Sequence, residues 1–250
     1  MEYSYRQFIP YIKSRPPDKI KEGRIWSIYL KSTVLMISLL SLEACAPSLY
    51  HVELKYQPSG KLCQLDIKKM SNYTVTVAKL NDVRKIEDKL LIGKVMNDSG
   101  NSIPILPRYI NVGDSVSLNI KEFLTNLGYK VANENPSWNL KEETIHQDWG
   151  NILVGGNIDE LEITCEDSIL KKTYHVNVKL SIVFANVPEK RIFDRLTVKS
   201  STSFEDVFMS EKTMNKQINA AFSDAVESIF CDSATTNKIE KAMESSRTRN

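Results

Sequence analysis

Tyr174-His175-Val176-Asn177-Val178-Lys179-Leu180-Ser181-Ile182-Val183-Phe184 is the cleanest alternation in the chain. Successive side chains of a strand point to opposite faces. Val176, Val178, Leu180, Ile182 and Phe184 therefore share an apolar face, and His175, Asn177, Lys179 and Ser181 share a polar one. A strand covered on one side only belongs to an antiparallel sheet.

Working outward, the neighbouring segments have the same period. Upstream, Ile152, Val154 and Ile158 lie on one phase and Leu161, Ile163 and Cys165 on the other. The flip near Asp159-Glu160 predicts a β-bulge. Glu166-Asp167-Ser168 reads as a turn. Downstream, Asn186 to Lys190, with Pro188, makes a second turn. Ile192, Leu196 and Val198 open a further strand toward Phe204. The expectation is a meander of three antiparallel strands.

Helices flank it. Asp114 and Ser115 offer an N-cap, Val116, Ile120, Phe123, Leu124 and Leu127 follow at helical spacing, and Gly128 stands at the C-cap. Ser210 caps a second helix with the stripe Met214, Ile218, Ala221, Phe222, Ala225, Val226 and Ile229. Tyr73 to Leu80 and Tyr129 to Ala132 read as strands. The stretch Asn81 to Arg108, with two prolines and Asn97-Asp98-Ser99-Gly100, reads as a long loop with at most a short strand at 90–95. The expected fold is α+β in two layers. A mixed, mostly antiparallel sheet is packed by two amphipathic helices in the order β-α-β-β-β-β-α.

The N-terminal part has a different character. Lys31 is followed by the apolar run Val34 to Leu42 and then Leu42-Glu43-Ala44-Cys45. The run is too short for a bilayer, which needs about 20 apolar residues, and has the length of a signal-peptide core. Leu42 and Ala44 stand where a signal peptidase reads side chains, and Cys45 stands where a bacterial lipoprotein receives its diacylglycerol; Glu43 departs from that pattern. Residues 1–29 are long for such a leader, and the expected start of translation is near Leu30. The expected organisation is a leader over 1–44 (signal 30–44), a lipidated N-terminus and a tether that becomes partly ordered over 45–70, one α+β domain over 71–232, and a polar tail over 233–250.

The leader holds seven Lys/Arg and four Asp/Glu of the chain's 33 and 31, which leaves 26 and 27 beyond it. The basic balance belongs to the leader, and no basic face for nucleic acid is implied. With Cys45 acylated, Cys63, Cys165 and Cys231 remain, an odd count. Cys165 falls on an apolar strand face and reads as a buried thiol. Cys63 and Cys231 are candidates for a disulfide.

The lipobox is followed by a strand ending near Asn81-Asp82-Val83-Arg84 and a helix ending Leu127-Gly128-Tyr129-Lys130-Val131. Leu153-Val154-Gly155-Gly156-Asn157-Ile158, Lys171-Lys172-Thr173-Tyr174 and Ser203-Phe204-Glu205 complete the set. Together these resemble the YajG-like family of bacterial lipoproteins over about residues 70–232. The resemblance implies an envelope lipoprotein with an α+β domain and no catalytic residues to carry over.

The residues themselves point to no reaction. Gly155-Gly156 lies inside a strand pattern and lacks the lysine of a phosphate loop. The acidic run Asp159, Glu160, Glu162, Glu166 and Asp167 lacks a calcium-loop signature and reads as a solvated face. His51, His146 and His175 are isolated from one another. No metal and no cofactor is expected, and the expectation is a non-enzyme. Trp138 and Trp149 flank the irregular segment 133–150; they suit contact with a partner or ligand, and equally suit folding down to cap the helix layer.

The expected function is that of a periplasm-facing accessory or scaffold in envelope assembly or transport, with an envelope protein partner. Ala46 after Cys45 favours the outer membrane. The alternative is a binding module that carries a lipid, glycan or peptidoglycan fragment between sheet and helices.

Overall fold

The computed structural model describes residues 49–59, 73–109, 111–208 and 210–247. The lipobox residues Leu42, Ala44 and Cys45, the start near Leu30, Cys63 and most of the expected tether lie outside the described residues.

The described residues form an α+β fold. Nine strands form one sheet: β1 (Tyr50–Val52), β2 (Thr74–Val77), β3 (Asn81–Asp82), β4 (Gly93–Asn97), β5 (Ser102–Pro107), β6 (Lys130–Val131), β7 (Ile152–Asp167), β8 (Lys172–Asn186) and β9 (Arg191–Asp206). Among the described residues three α-helices accompany them: α1 (Val112–Asn126), α2 (Glu211–Phe230) and α3 (Ser233–Arg247).

The meander β7-β8-β9 is antiparallel, as the alternation predicts. Its bulge falls between Ile158 and Glu160. That one extra residue lets Ile152, Val154 and Ile158 share a face with Leu161, Ile163 and Cys165, and all six are buried. The free edge of β7 is long enough to seat three partners in succession. β2 pairs with Val75↔Ile152, β3 with Asn81↔Asn157, and β4 with Gly93↔Ile163, all parallel.

Three expectations are corrected. The stretch 81–108 is not one loop: β4 and β5 form a hairpin turned by Asn97 to Gly100, with Gly100 at φ +77°. Pro104 and Pro107 sit inside or at the end of a strand, where a missing N–H argues against pairing. α1 starts earlier than read: Asn111 is its N-cap and accepts from the Asp114 amide. The expected polar tail is helix α3, whose narrow stripe Thr235, Thr236, Ile239, Ala242 and Met243 is buried. The helices therefore number three among the described residues. Of the expected tether, residues 49–59 are described and extended, and Tyr50–Val52 pair with β5. Ser210 caps α2 as read, accepting from the Thr213 amide.

The main core lies between the sheet and the helices. Val176, Val178, Leu180, Ile182 and Phe184 meet Met214, Ile218, Phe222, Val226 and Ile229 of α2, all fully buried. A second, smaller core sits on the opposite sheet face. There Trp138 and Ile145 cover Ala78, Leu153, Val183, Ala185 and Val187. The irregular segment 133–150 is thus a lid over the part of the second face that carries Leu153, Val183 and Ala185, while His175, Asn177, Lys179 and Ser181 of β8 stay half-buried.

Candidate functional site

Two arrangements stand out, one holding the chain's entry and one forming clefts beside a loop.

The entry is the extended stretch 50–59. Val52, Leu54 and Tyr56 point into the core, and Glu53, Lys55 and Gln57 point to solvent. The odd-numbered amides face α2. The amides of His51, Glu53, Lys55, Gln57 and Ser59 donate in turn to Glu211 Oε1 (2.7 Å), Asn215 Oδ1 (2.7 Å), Asn219 Oδ1 (3.0 Å), Ser223 Oγ (2.8 Å) and Glu227 Oε1 (2.8 Å).

The spacing explains the ladder. Two strand residues rise about 6.7 Å and four helix residues about 6 Å, so every second amide meets every fourth helix side chain. The helix supplies side-chain acceptors in place of a neighbouring strand's carbonyls. The far end is fixed by Glu227, a buried carboxylate that also accepts from the Tyr56 hydroxyl at 3.0 Å. Burial, and then that hydrogen bond and charge, push the Tyr56 pKa up.

The opposite edge of the same stretch is held by β5 and α1. Arg108 N donates to Val52 O at 2.9 Å. Asn119 Nδ2 donates to Leu54 O at 3.1 Å, and its Oδ1 accepts from the Tyr56 amide.

The second arrangement is the loop between β3 and β4. Arg84 is buried, and its guanidinium donates to both carboxylate oxygens of Asp82 (2.9 and 2.7 Å). It also donates to the carbonyls of Lys89 (2.8 Å), Leu91 (2.8 Å) and Leu161 (3.2 Å). One side chain thus closes the loop on itself and ties it to β7 just past the bulge. Burial opposes ionisation of Asp82, but the bonds and charge of Arg84 outweigh it and hold the carboxyl below its usual range.

Open clefts flank this loop. One, of about 480 Å³, is lined by Arg84, Lys85, Asp159, Glu160, Glu162 and Lys179, and its lining includes no Ser, Thr, Cys or His. A second, of about 490 Å³, is more apolar, with Ile86, Leu91, Ile92, Pro104 and Leu161. Among the described residues, no three His, Cys, Asp or Glu side chains group closely enough to hold a metal ion.

Of the residues singled out by sequence, Trp138 is 3% exposed and Trp149 is half-buried. Trp138 is folded down, as in the second of its two readings, although what it caps is the sheet and not the helix layer. Its Nε1 donates to Lys141 O at 3.0 Å, and a Cβ on Gly155 would stand 2.5 Å from its ring. Gly155 therefore makes room for Trp138, and Gly156 brings the β7 backbone against Ser181 O. Trp149 packs beside His146, with ring centres 4.7 Å apart.

Cys231 is in a disulfide, and Cys165 is a buried thiol whose pKa is pushed up to about 11, first by burial and then by Asp167. Sequence reading missed the roles of Arg84, Asn119 and Asn219. Asp82-x-Arg84 was a legible sign for the first, because adjacent-but-one residues of opposite charge can close a bidentate pair. The ladder's sign was the polar row Glu211, Asn215, Asn219, Ser223, Glu227 at fourfold spacing.

No family model matches the chain, and no curated protein does. Solved structures of similar shape exist. A Xanthomonas campestris protein of the family DUF330 has 14% identity and a TM-score of 0.45, covering 80% of this chain and 99% of its own. A minor lipoprotein from Acinetobacter baumannii has 10% identity and a TM-score of 0.34, covering 67% of this chain and 92% of its own. A lipoprotein from Neisseria meningitidis has 8% identity and a TM-score of 0.33, covering 60% and 96%. At these values the likeness extends to neither mechanism nor partner.

Proposed function

We propose that the chain is a non-enzymatic lipoprotein of the bacterial envelope, anchored through acylated Cys45, with the YajG-like family as its relatives. It sits at the periplasmic face of the outer membrane and serves as an accessory or scaffold in envelope assembly or transport. The observation that carries this reading is the ladder from His51 to Ser59. A few residues after the acylation motif, the main chain is bonded along the whole of α2. Such a join suits a domain held at a fixed place by its N-terminus.

The scaffold reading is favoured over a carrier by where the space lies. The clefts beside the 83–92 loop open to solvent, while between sheet and helices the buried side chains of β8 pack with those of α2 in the main core. A carrier of lipid or glycan needs an apolar cavity there.

Metabolic labelling with a fatty acid tests the anchor. Label in the wild type, lost in Cys45→Ser together with detergent partition, supports the reading. A wild type that takes up no label overturns it.

A further inference from the structure

Nine large hydrophobic side chains among the described residues are exposed, and four of them gather at one end of the meander. Ile169 and Leu170, at the tip between β7 and β8, are 90% and 87% exposed. Val207 and Phe208, just past β9, are 64% and 77% exposed. The register Asp167↔Lys172↔Asp206 puts both pairs immediately beyond the same line of the sheet.

These tips are built, not frayed. Ser168 N donates to Lys171 O at 3.1 Å, and Ile169 N donates to Asp98 Oδ2 at 3.2 Å across to the β4–β5 turn. Val207 N donates to Asp206 Oδ1 at 2.7 Å. The backbone is fixed with its apolar side chains turned outward, an arrangement that water alone does not favour.

The chain enters the domain at the same end. β1 runs parallel to β5, so upstream of Tyr50 it heads toward the Ser102 end of β5, which pairs with Met96 next to Asn97↔Asp167. The Tyr50 side chain lies near Asp167 and Glu211, whose charges add to burial in raising its pKa. Glu211 accepts from the His51 amide and stands three residues after Phe208.

Length then limits the arrangement. Cys45 is four residues before Leu49, a stretch that spans at most about 14 Å when fully extended. An acyl chain on Cys45 puts that residue at the lipid surface, so Leu49 is within the same short distance of it.

We infer that the end bearing Ile169, Leu170, Val207 and Phe208 rests on the bilayer that holds Cys45, and that these side chains enter its interface. The inference builds on the lipid anchor proposed above and adds the orientation of the domain. Three ion pairs lie at this end, Lys171 with Glu205, Lys172 with Asp167 and Arg108 with Glu211, and the further carboxylates of Asp98 and Asp206 stand beside the tips, so basic charge is not in excess there. Contact is therefore by apolar insertion, and anionic headgroups add little.

The test uses the full acylated chain reconstituted into vesicles containing bromine-labelled phosphatidylcholine, whose bromines quench nearby indoles. Leu170→Trp and Phe208→Trp are compared with Leu118→Trp, a 49% exposed position on α1, each corrected for the parent's own tryptophans. All three sites are exposed, so the fold tolerates them. Expected is quenching and a blue shift at 170 and 208, absent at 118, and unchanged when phosphatidylglycerol is omitted or salt is raised. Label at Cys45 with no quenching at 170 and 208, or with equal quenching at 118, overturns the orientation and leaves the anchor standing. Absence of label at Cys45 overturns the anchor, and the orientation with it.

Discussion

Asn119 on α1 and Asn219 on α2 grip one extended segment from its two edges. Asn219 accepts from Lys55 N and donates to Glu53 O, and Asn119 accepts from Tyr56 N and donates to Leu54 O. Each amide closes the ring that a neighbouring strand would close. Removing either leaves main-chain groups unsatisfied, so Asn119→Ala and Asn219→Ala should each cost about 1–3 kcal/mol. Asn215→Ala, which frees the exposed Glu53 amide and removes a bond to Glu211 O within its own helix, should cost less. Urea denaturation measures all three, and limited proteolysis should show earlier cleavage within 49–59 in the first two.

The Arg84 clamp predicts both a mutant and a pH effect. Asp82→Asn strands a buried guanidinium and should cost about 3 kcal/mol at pH 7. The folded-state pKa of Asp82 lies below its unfolded value. Its contribution is therefore full above the ordinary carboxylate range near pH 4 and is lost as pH falls through the lower folded value. The gap between wild type and Asp82→Asn should close as melts are repeated from pH 7 down to pH 3. A gap that stays constant with pH refutes the assignment.

Gly155→Ala should expel Trp138. The new Cβ would stand 2.5 Å from the indole, and relief requires the ring to leave its seat. A destabilisation of about 1–3 kcal/mol is expected, with a red shift of tryptophan emission. Gly156→Ala meets a backbone carbonyl, Ser181 O, at 2.2 Å, and should be worse because the β7–β8 pairing itself has to give.

Cys165 should resist maleimide at pH 7.5 in the folded protein. It is fully buried, and its pKa is pushed up to about 11, so little thiolate is present. Peptide mapping after labelling with and without denaturant checks this; modification at equal rates in both would show the site to be open.

Much of the sheet was legible in the alternation of β7, β8 and β9, down to the bulge after Ile158, because one residue too many shifts every later side chain by one face. The β4–β5 hairpin was not, because Pro104 and Pro107 spoke against a strand while pairing from Gly93 to Met96 overrode them. α3 was hidden by its composition, since a stripe of five small or medium side chains carries little weight in a polar stretch. The candidate site was the least legible part. Asn119 and Asn219 act on main chain, and a main-chain partner leaves no mark in the segment it binds. Trp138 was readable as an aromatic on a loop, but whether it faced out depended on Gly155 lying beneath it.

The ladder along α2 also sets how the domain bears load. Tension applied upstream of Leu49 runs along the axis of residues 51–59, nearly parallel to α2, and strains its five amide bonds together in shear. Peeling them singly would need a pull at right angles to that axis. A domain seized by its N-terminus in this way resists extraction with the combined strength of the row, whatever side chains Glu53, Lys55 and Gln57 carry.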